Sequence, residues 1–525
     1  VLAFFILGFL VVLGALTVLA AAVGSAAWWV LLGLIGVLLV VGIVDVFQTR
    51  HSILRNYPVI GHLRFLLEKI RPELQQYFIE RNVDGRPFDR DTRTIVYERA
   101  KGIAGEKAFG TELDVNAVGY EYLVHSAAPA DEPAQPHYVR VGGPDCTKPY
   151  DMAMLNVSAM SFGSLSANAI RALNAGAALG GFAHDTGEGG LSKYHLERGG
   201  DLIWELGSGY FGARLPDGGF DAAQFADKAS HHAVKCVSLK LSQGAKPGIG
   251  GVLPGPKVTP EIAEARAVPV GETVTSPSRH TAFSTPRELV RFIARMRELA
   301  GGKPTGFKLC VGTRVDVLAV VKAMVDEGTT PDFIVVDGSE GGTGAAPLEY
   351  EDHMGTPLTE GLILVHNALV GAGLRDRVRI GASGKVATGT DIVKRLIQGA
   401  DYTNSARAMM MATGCIQSQR CHTNQCPVGV ATQDPKRARA LVVEDKLHRV
   451  HRYQRATVME ATRMTASLGA SCPGELHPRM LRRRITPTDT RSYAELYEWL
   501  RPGQLLAEPP MGWVDDWERA DPDRF

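Results

Sequence analysis

From Met152 onward, apolar runs of strand length alternate with segments of helical period, and this alternation constrains the fold more than any other feature. The strand-like runs are Met154–Ala159, Val237–Leu241, Gly306–Val311, Phe333–Asp337, Val378–Ala382 and Tyr402–Ser405. Between them lie Ala167–Leu179, Arg287–Leu299, Asp316–Glu327, Gly361–Ala372 and Asp391–Gln398, which read as amphipathic helices. Such alternation calls for a parallel sheet with helices outside it, because a parallel crossover needs a connection of helical length. It runs for roughly 260 residues and no GxGxxG turn opens it, so the expected fold is a closed (β/α)8 TIM barrel of the α/β class.

Barrels carry their chemistry on the loops that follow the strands. After Met160 comes SFGSLS, where Ser161 and Gly163 allow close backbone approach to a flat ligand. HDTGEGG carries Glu188 between glycines, a general acid/base or a structural carboxylate. SQGAKPGIGGVLPG carries Gln243 and Lys246, and Lys308 lies in GFKLCVG. Each lysine is either a strand-end residue reaching solvent or an active-site cation; beside a flavin's N1–C2 edge, a lysine stabilises the reduced ring. DGSEGGTGAAP and GASGKVATG follow late strands, where backbone N–H groups of glycine-rich turns bind phosphate. His184, His231 and His232 receive no role.

Beyond the expected barrel, Cys415, Cys421 and Cys426 are spaced C-x5-C-x4-C, with Pro427 directly after the last. Three thiolates on one loop suit an iron–sulfur cluster, or zinc with His422 as a fourth ligand, or they are inert buried thiols. The spacing does not separate the two metals. An odd, clustered cysteine set suits a reducing compartment better than a disulfide framework. The net charge of +1 gives no footprint for nucleic acid.

Residues 1–44 contain no Asp, Glu, Lys, Arg or His. The stretch divides into two spans of about 20 residues, Ala3–Val23 and Trp28–Phe47, with a turn at Gly24–Ser25. Arg50, Arg55, Arg64, Lys69 and Arg71 follow, so a two-pass cell-membrane protein with its catalytic part on the cytoplasmic side is expected. Ile53–Phe78 mixes apolar and basic residues, as a membrane-surface helix or a domain-edge helix does. The organisation read from the sequence is a hairpin at 1–48, a basic lead-in without identifiable chemistry at 49–150 and a barrel at 151–412. A cysteine loop with its packing helix at 413–475 and a surface-wrapping extension at 476–525 follow. Arg437–Leu468 reads as a long helix, and Arg482–Arg484 as a solvated basic turn.

PVGVATQ after the cysteines, TGEGG at Thr186–Gly190, QGAKPG at Gln243–Gly248 and GGTGAAP at Gly341–Pro347 together resemble the synthase domain of glutamate synthases. The resemblance runs from Met152 to Ala470. In particular, the chain looks like the short, stand-alone FMN-binding glutamate synthase-like proteins, some of which carry N-terminal membrane helices. It implies FMN in the barrel and a [3Fe-4S] cluster on Cys415, Cys421 and Cys426, ahead of zinc. It places FMN against Met160, Ser161 and Gly163, with Lys308 at the ring edge. The phosphate falls on Gly341, Gly342 and Thr343 and on Ser383, Gly384 and Lys385. It makes Glu188 and Lys246 catalytic, and sets Arg266, Gln243 and Val252 around an oxo acid. Ile249 and Val252 replace a glutamate and a glutamine that help hold 2-oxoglutarate in the family. The implied activity is reduction of an imino acid, formed from 2-oxoglutarate and ammonia, to L-glutamate, with a one-electron donor such as ferredoxin. The chain's first residues are a span, not a glutaminase domain, so nitrogen is expected from ammonia, an amine or a separate amidotransferase subunit. The alternatives are an FMN enzyme acting on another oxo, imino or hydroxy acid, or a non-catalytic flavin/iron–sulfur electron-transfer subunit.

Overall fold

Two apolar helices, α1 (Leu2–Val23) and α2 (Ala26–Phe47), account for the uncharged N-terminal stretch. The computed structural model describes residues 2–24, 26–103 and 105–525; Ser25, in the expected turn, lies outside them. Small residues let the two helices approach: a Cβ on Gly42 would stand 2.8 Å from a Leu7 methyl. Among the described residues one helix, Ala27–Phe47, is long and apolar enough to cross a membrane. A single turn, Ser52–Asn56, and α3 (Gly61–Leu74) complete the first of two units, residues 1–85.

The second unit, residues 86–525, is built on a closed barrel of eight strands, hydrogen-bonded in sequence order and all parallel. Helix α4 (Arg90–Lys101) precedes it, capped by the Asp89 carboxylate on Thr92 N–H at 2.7 Å. The strands are β1 (Leu155–Val157), β2 (His184–Asp185), β3 (Leu202–Leu206), β4 (Val234–Lys240), β5 (Thr305–Leu309), β6 (Phe333–Asp337), β7 (Arg379–Ser383) and β8 (Tyr402–Ser405). The ring closes where β8 pairs with β1, Thr403 beside Leu155. Helices α5 (Ala167–Gly180), α6 (Ala222–Ser230), α7 (Pro260–Arg266), α8 (Pro286–Leu299), α9 (Arg314–Glu327), α10 (Leu358–Gly371) and α11 (Gly389–Ile397) occupy the connections between strands, with both α7 and α8 after β4 and only the short turn Lys193–Leu196 after β2. Six strands fall on the expected runs; β2 and β3 are additional.

Alternation along each strand sorts side chains between helix layer and barrel interior. Trp204, Leu206, Val237, Leu239, Phe307, Ile334 and Val336 pack into the core shared with the helices. Ile203, Cys236, Phe333, Val335 and Tyr402 form a separate small core with Val141 and Met152, supplied by the hairpin Tyr138–Val141/Tyr150–Ala153. Two residues farther along β3 and four along β4, the same inward face carries Glu205 and Lys240. The interior therefore runs from apolar at the strand starts to charged at the strand ends.

Helix α12 (Arg407–Ala412) leads into the cysteine loop, and α13 (Val443–Ser467) packs against α5. The expected solvated turn at Arg482–Arg484 is instead the middle strand, Leu481–Arg484, of a three-stranded antiparallel sheet. Glu121–Leu123 from the lead-in pairs with it on one side and Thr490–Ser492 on the other. Backbone carbonyls hold these arginines: Arg482 donates to Thr490 O at 2.8 Å and Arg484 to Pro487 O at 3.0 Å. The tail packs on the barrel helices, with Arg314 over the Trp513 ring and paired to Asp516.

Candidate active site

The strand ends open into one cleft with two lobes that share Ala159, Gln243, Gly342, Ala406 and Arg407. The larger lobe encloses about 1000 Å³ of empty space, its open mouth included. Met160, Ser161, Glu188, Lys246, Val252, Arg266, Thr343 and Cys421 line it. Lys308, Gly341, Ser383, Gly384 and Lys385 line the smaller lobe, with Asp337 and Asn404. Gly163 faces neither lobe: it sits in a left-handed turn against Leu253 and Arg266, its carbonyl accepting from Gln433 at 3.0 Å.

Glu188 is locked in place. Its Oε1 lies 2.6 Å from Lys240 Nζ, and a Cβ at Gly207 or Gly251 would collide with the carboxylate. Burial pushes this carboxyl up, but Lys240, with Arg266 and Lys246 behind it, holds it below the ordinary carboxylate range. It is a charged acceptor at neutral pH, not a proton donor. Its Oε2 is buried without a hydrogen-bond partner, an arrangement that asks for a donor from a ligand.

Lys246 Nζ donates to Ala345 O at 2.8 Å. Burial, assisted by Lys240, brings its pKa down to about 8 against the pull of Glu188. Burial brings Arg266 down to about 10, so it stays charged at neutral pH. Its Nη2 donates to Ser161 Oγ at 3.2 Å, and its guanidinium stacks over Phe211. Lys257, which sequence reasoning missed, donates to Ser164 O at 2.7 Å and Cys421 O at 3.2 Å. The larger lobe is cationic, as an anionic substrate requires.

In the smaller lobe Lys308 is ion-paired with Glu205 and fully enclosed. Burial alone would lower it; Glu205, Asp185 and Asp337 reverse this and raise it above an ordinary lysine. Arg407, also missed, donates to Glu340 O at 2.7 Å and stacks over Phe88. Burial lowers both Lys385 and Arg407, so an incoming anion relieves their cost. A Cβ on Gly342 would stand 2.8 Å from Arg407 Nε, so only glycine lets this turn come close. Lys385 itself has φ +50°, a left-handed geometry rare outside glycine. Two glycine turns, two cations and the unpartnered Asn404 Oδ1 suit a phosphate with neighbouring hydroxyls.

The cysteine loop holds three non-glycine residues at positive φ, Gln417, Gln419 and Asn424. The lead-in, read from the sequence as lacking chemistry, braces it: Tyr97 donates to Cys415 O at 2.8 Å, and Phe88 N–H to Gln417 Oε1 at 3.2 Å. Burial pushes the Cys415 thiol up to about 12, with Cys421 and Cys426 close enough to add to it. Among the described residues no group of three or more His, Cys, Asp or Glu converges on a single-ion site. His422 is exposed at the cleft mouth. The three thiols lie close enough to influence one another, and thiolates of this kind are the donors that an iron–sulfur cluster or zinc would use.

An eight-stranded parallel barrel with a cationic cleft at its strand ends defines a (β/α)8-barrel enzyme. The sequence profile of the conserved region in glutamate synthase matches residues 146–471. The chain is 38% identical over 470 residues to the glutamate synthase large subunit-like protein YerD of Bacillus subtilis, covering 82% of this chain and 89% of that one. It is 36% identical over 313 residues to the archaeal-type glutamate synthase [NADPH] of Thermotoga neapolitana, covering 59% of this chain and 58% of that enzyme. A mutant flavocytochrome b2 with pyruvate bound overlays at TM-score 0.41 and 13% identity, over 84% of this chain and 91% of that one. The chain belongs to the glutamate synthase family and is a glutamate synthase-like oxidoreductase.

Proposed function

We propose that this protein is a membrane-tethered FMN and iron–sulfur oxidoreductase that reduces an imino acid, formed from an oxo acid and ammonia, to an amino acid. One observation carries this reading: the ionised Glu188 carboxylate presents an unpartnered oxygen to the cleft that also holds Lys246 and Arg266. The smaller lobe fits the phosphate and ribityl hydroxyls of FMN, through the turns at Gly341–Gly342 and Ser383–Lys385 with Arg407 and Asn404. FMN, when bound, supplies the hydride. Cys415, Cys421 and Cys426 would hold the [3Fe-4S] cluster, which supplies single electrons from a donor such as ferredoxin.

Arg266 binds the oxo-acid carboxylate, and Glu188 Oε2 accepts an N–H of the imine nitrogen and orients it. Lys246 Nζ, poised near neutrality, gives that nitrogen the proton that completes the amine. The Lys240 ammonium keeps Glu188 charged throughout. Val252, Leu253 and Pro254 form an apolar wall in the same lobe, and this favours a second reading in which the oxo acid carries an apolar side chain in place of a second carboxylate. Ammonia enters free or from a separate amidotransferase subunit. The Ala27–Phe47 helix and the arginines after it support a membrane anchor with the catalytic unit on the cytoplasmic side.

Anaerobic purification with flavin, iron and sulfide analysis, followed by a panel of oxo acids with ammonia and a chemical reductant, tests this function. Amino-acid formation, with an iron signal lost in Cys421→Ser, supports it. Bound zinc without iron, or no oxo acid turned over, overturns it.

A further inference from the structure

The helix that follows the apolar hairpin carries exposed apolar side chains. α3 continues through one π-helical turn, Gln75–Ile79, and Gly61 is the one residue of α3 that is buried. Along this rod Leu63, Leu66, Leu67, Ile70, Leu74 and Phe78 recur at three- and four-residue spacing, and all are exposed, Phe78 by 80%. At about 100° per residue they fall on one stripe roughly 120° wide. Arg64 and Arg71 flank one edge of the stripe and Lys69 the other.

The corner between α2 and α3 is built rather than loose. Asp45, the one charged residue of α2, is 3% exposed. Its Oδ2 accepts the Val59 N–H at 2.8 Å, and its Oδ1 lies 2.9 Å from His62 Nε2. Val59 has φ +66°, a conformation that a β-branched residue keeps only where its surroundings hold it there. The start of α3 is thereby fixed to the end of α2.

We propose that α3 lies in the headgroup layer of an anionic bilayer, its leucine stripe toward the acyl chains and Arg64, Lys69 and Arg71 against lipid phosphates. This rests on the reading that α2 crosses a membrane. Two observations select lipid as the occupant. The stripe is continuous, through a pinned corner, with the helix long and apolar enough to span. Five basic residues lie between Arg50 and Leu74 against two acidic ones, Glu68 and Glu73, and the Glu68 pair with Arg64 is exposed and weak.

The test uses the full chain in membranes containing phosphatidylglycerol, with photoreactive benzoylphenylalanine in place of Leu67 or of Glu68. Phospholipid adducts at position 67 should exceed those at 68 by about tenfold, and should fall several-fold in Arg64→Glu/Arg71→Glu. Crosslinks from position 67 to residues 86–525 or to a second copy, or equal lipid labelling at both positions, would overturn the proposal. A carbonate wash separates the two readings. Release of the chain defeats the membrane anchor itself, whereas retention without lipid adducts defeats only the placement of α3.

Discussion

Two lysine–glutamate pairs stand side by side in the barrel, and they differ in what is left over. Lys240 and Lys308 are register partners on β4 and β5. Each neutralises a glutamate, Glu188 and Glu205 respectively. Glu188 comes from a loop and keeps one oxygen unpartnered at the larger lobe, close to Arg266 and Lys246. Glu205 comes from a strand, lines the same lobe, and commits its buried Oε2 to the ion pair with Lys308, beside Asp185. In the proposed mechanism the same chemical pair serves as a binding group where a glycine loop delivers it, and as scaffold where a strand does. Position on the fold, not residue type, separates the two roles.

Glu188→Gln should separate them most sharply. It keeps the shape and removes the charge, so kcat should fall by about 10²–10⁴, and leaving the buried Lys240 without its partner should also cost a few kcal/mol of stability. Comparable loss in turnover from Glu205→Gln would erase the distinction. Lys308→Met should act on the other side. It strands a buried carboxylate, so urea denaturation should register a loss of about 3–5 kcal/mol, most of it recovered in Lys308→Met/Glu205→Leu. Recovery of stability without flavin retention would show that the Lys308–Glu205 pair also serves the cofactor.

A smaller effect follows from Lys246. If its protonated form is the working one, kcat should fall about tenfold per pH unit above about 8, and Lys246→Arg should move that limb upward. Stability should move the other way. The ammonium releases its proton at about 8 in the fold and at 10.5 in the unfolded chain, so the unfolded chain binds more protons between those values. Stability therefore rises with pH across that window, and the rise should vanish in Lys246→Met. Smallest of all, Val252→Gln should favour 2-oxoglutarate over an apolar oxo acid by about tenfold in kcat/KM. No change would remove Val252 from the specificity wall.

Five of the barrel helices, α5 and α8 to α11, and six of the strands were legible because their apolar periods are local, whereas the short α6 and α7 were not. β2 was not, since two residues, His184–Asp185, carry no period. β3 was hidden by Glu205, a charge that tells against a buried strand until its partner on β5 is known. Most of the named loop residues, Glu188, Lys246, Arg266 and Ser383–Lys385, do meet in one cleft. Lys240, Lys257 and Arg407 escaped because nothing in the sequence tells a lysine at a strand end, or an arginine opening a short helix, from a solvated one. Their roles come from groups far off in the chain, such as Glu188 for Lys240 and Cys421 for Lys257. Gly163 lines neither lobe: its left-handed turn packs against Leu253 and Arg266, and its carbonyl accepts from Gln433.

The sheet that joins Glu121–Leu123 to Leu481–Arg484 has a consequence for biosynthesis. Roughly 360 residues separate the partners, and at about 5–20 residues per second the first strand waits some 20–70 s for the second. During that interval its backbone edge, and the Glu121 carboxylate that later meets Lys394 and Tyr493, have no mate. A nascent chain stalled before Leu481 should therefore present a sticky strand ahead of a nearly finished barrel. Shielding by a chaperone during translation would matter more for this short segment than for the barrel behind it.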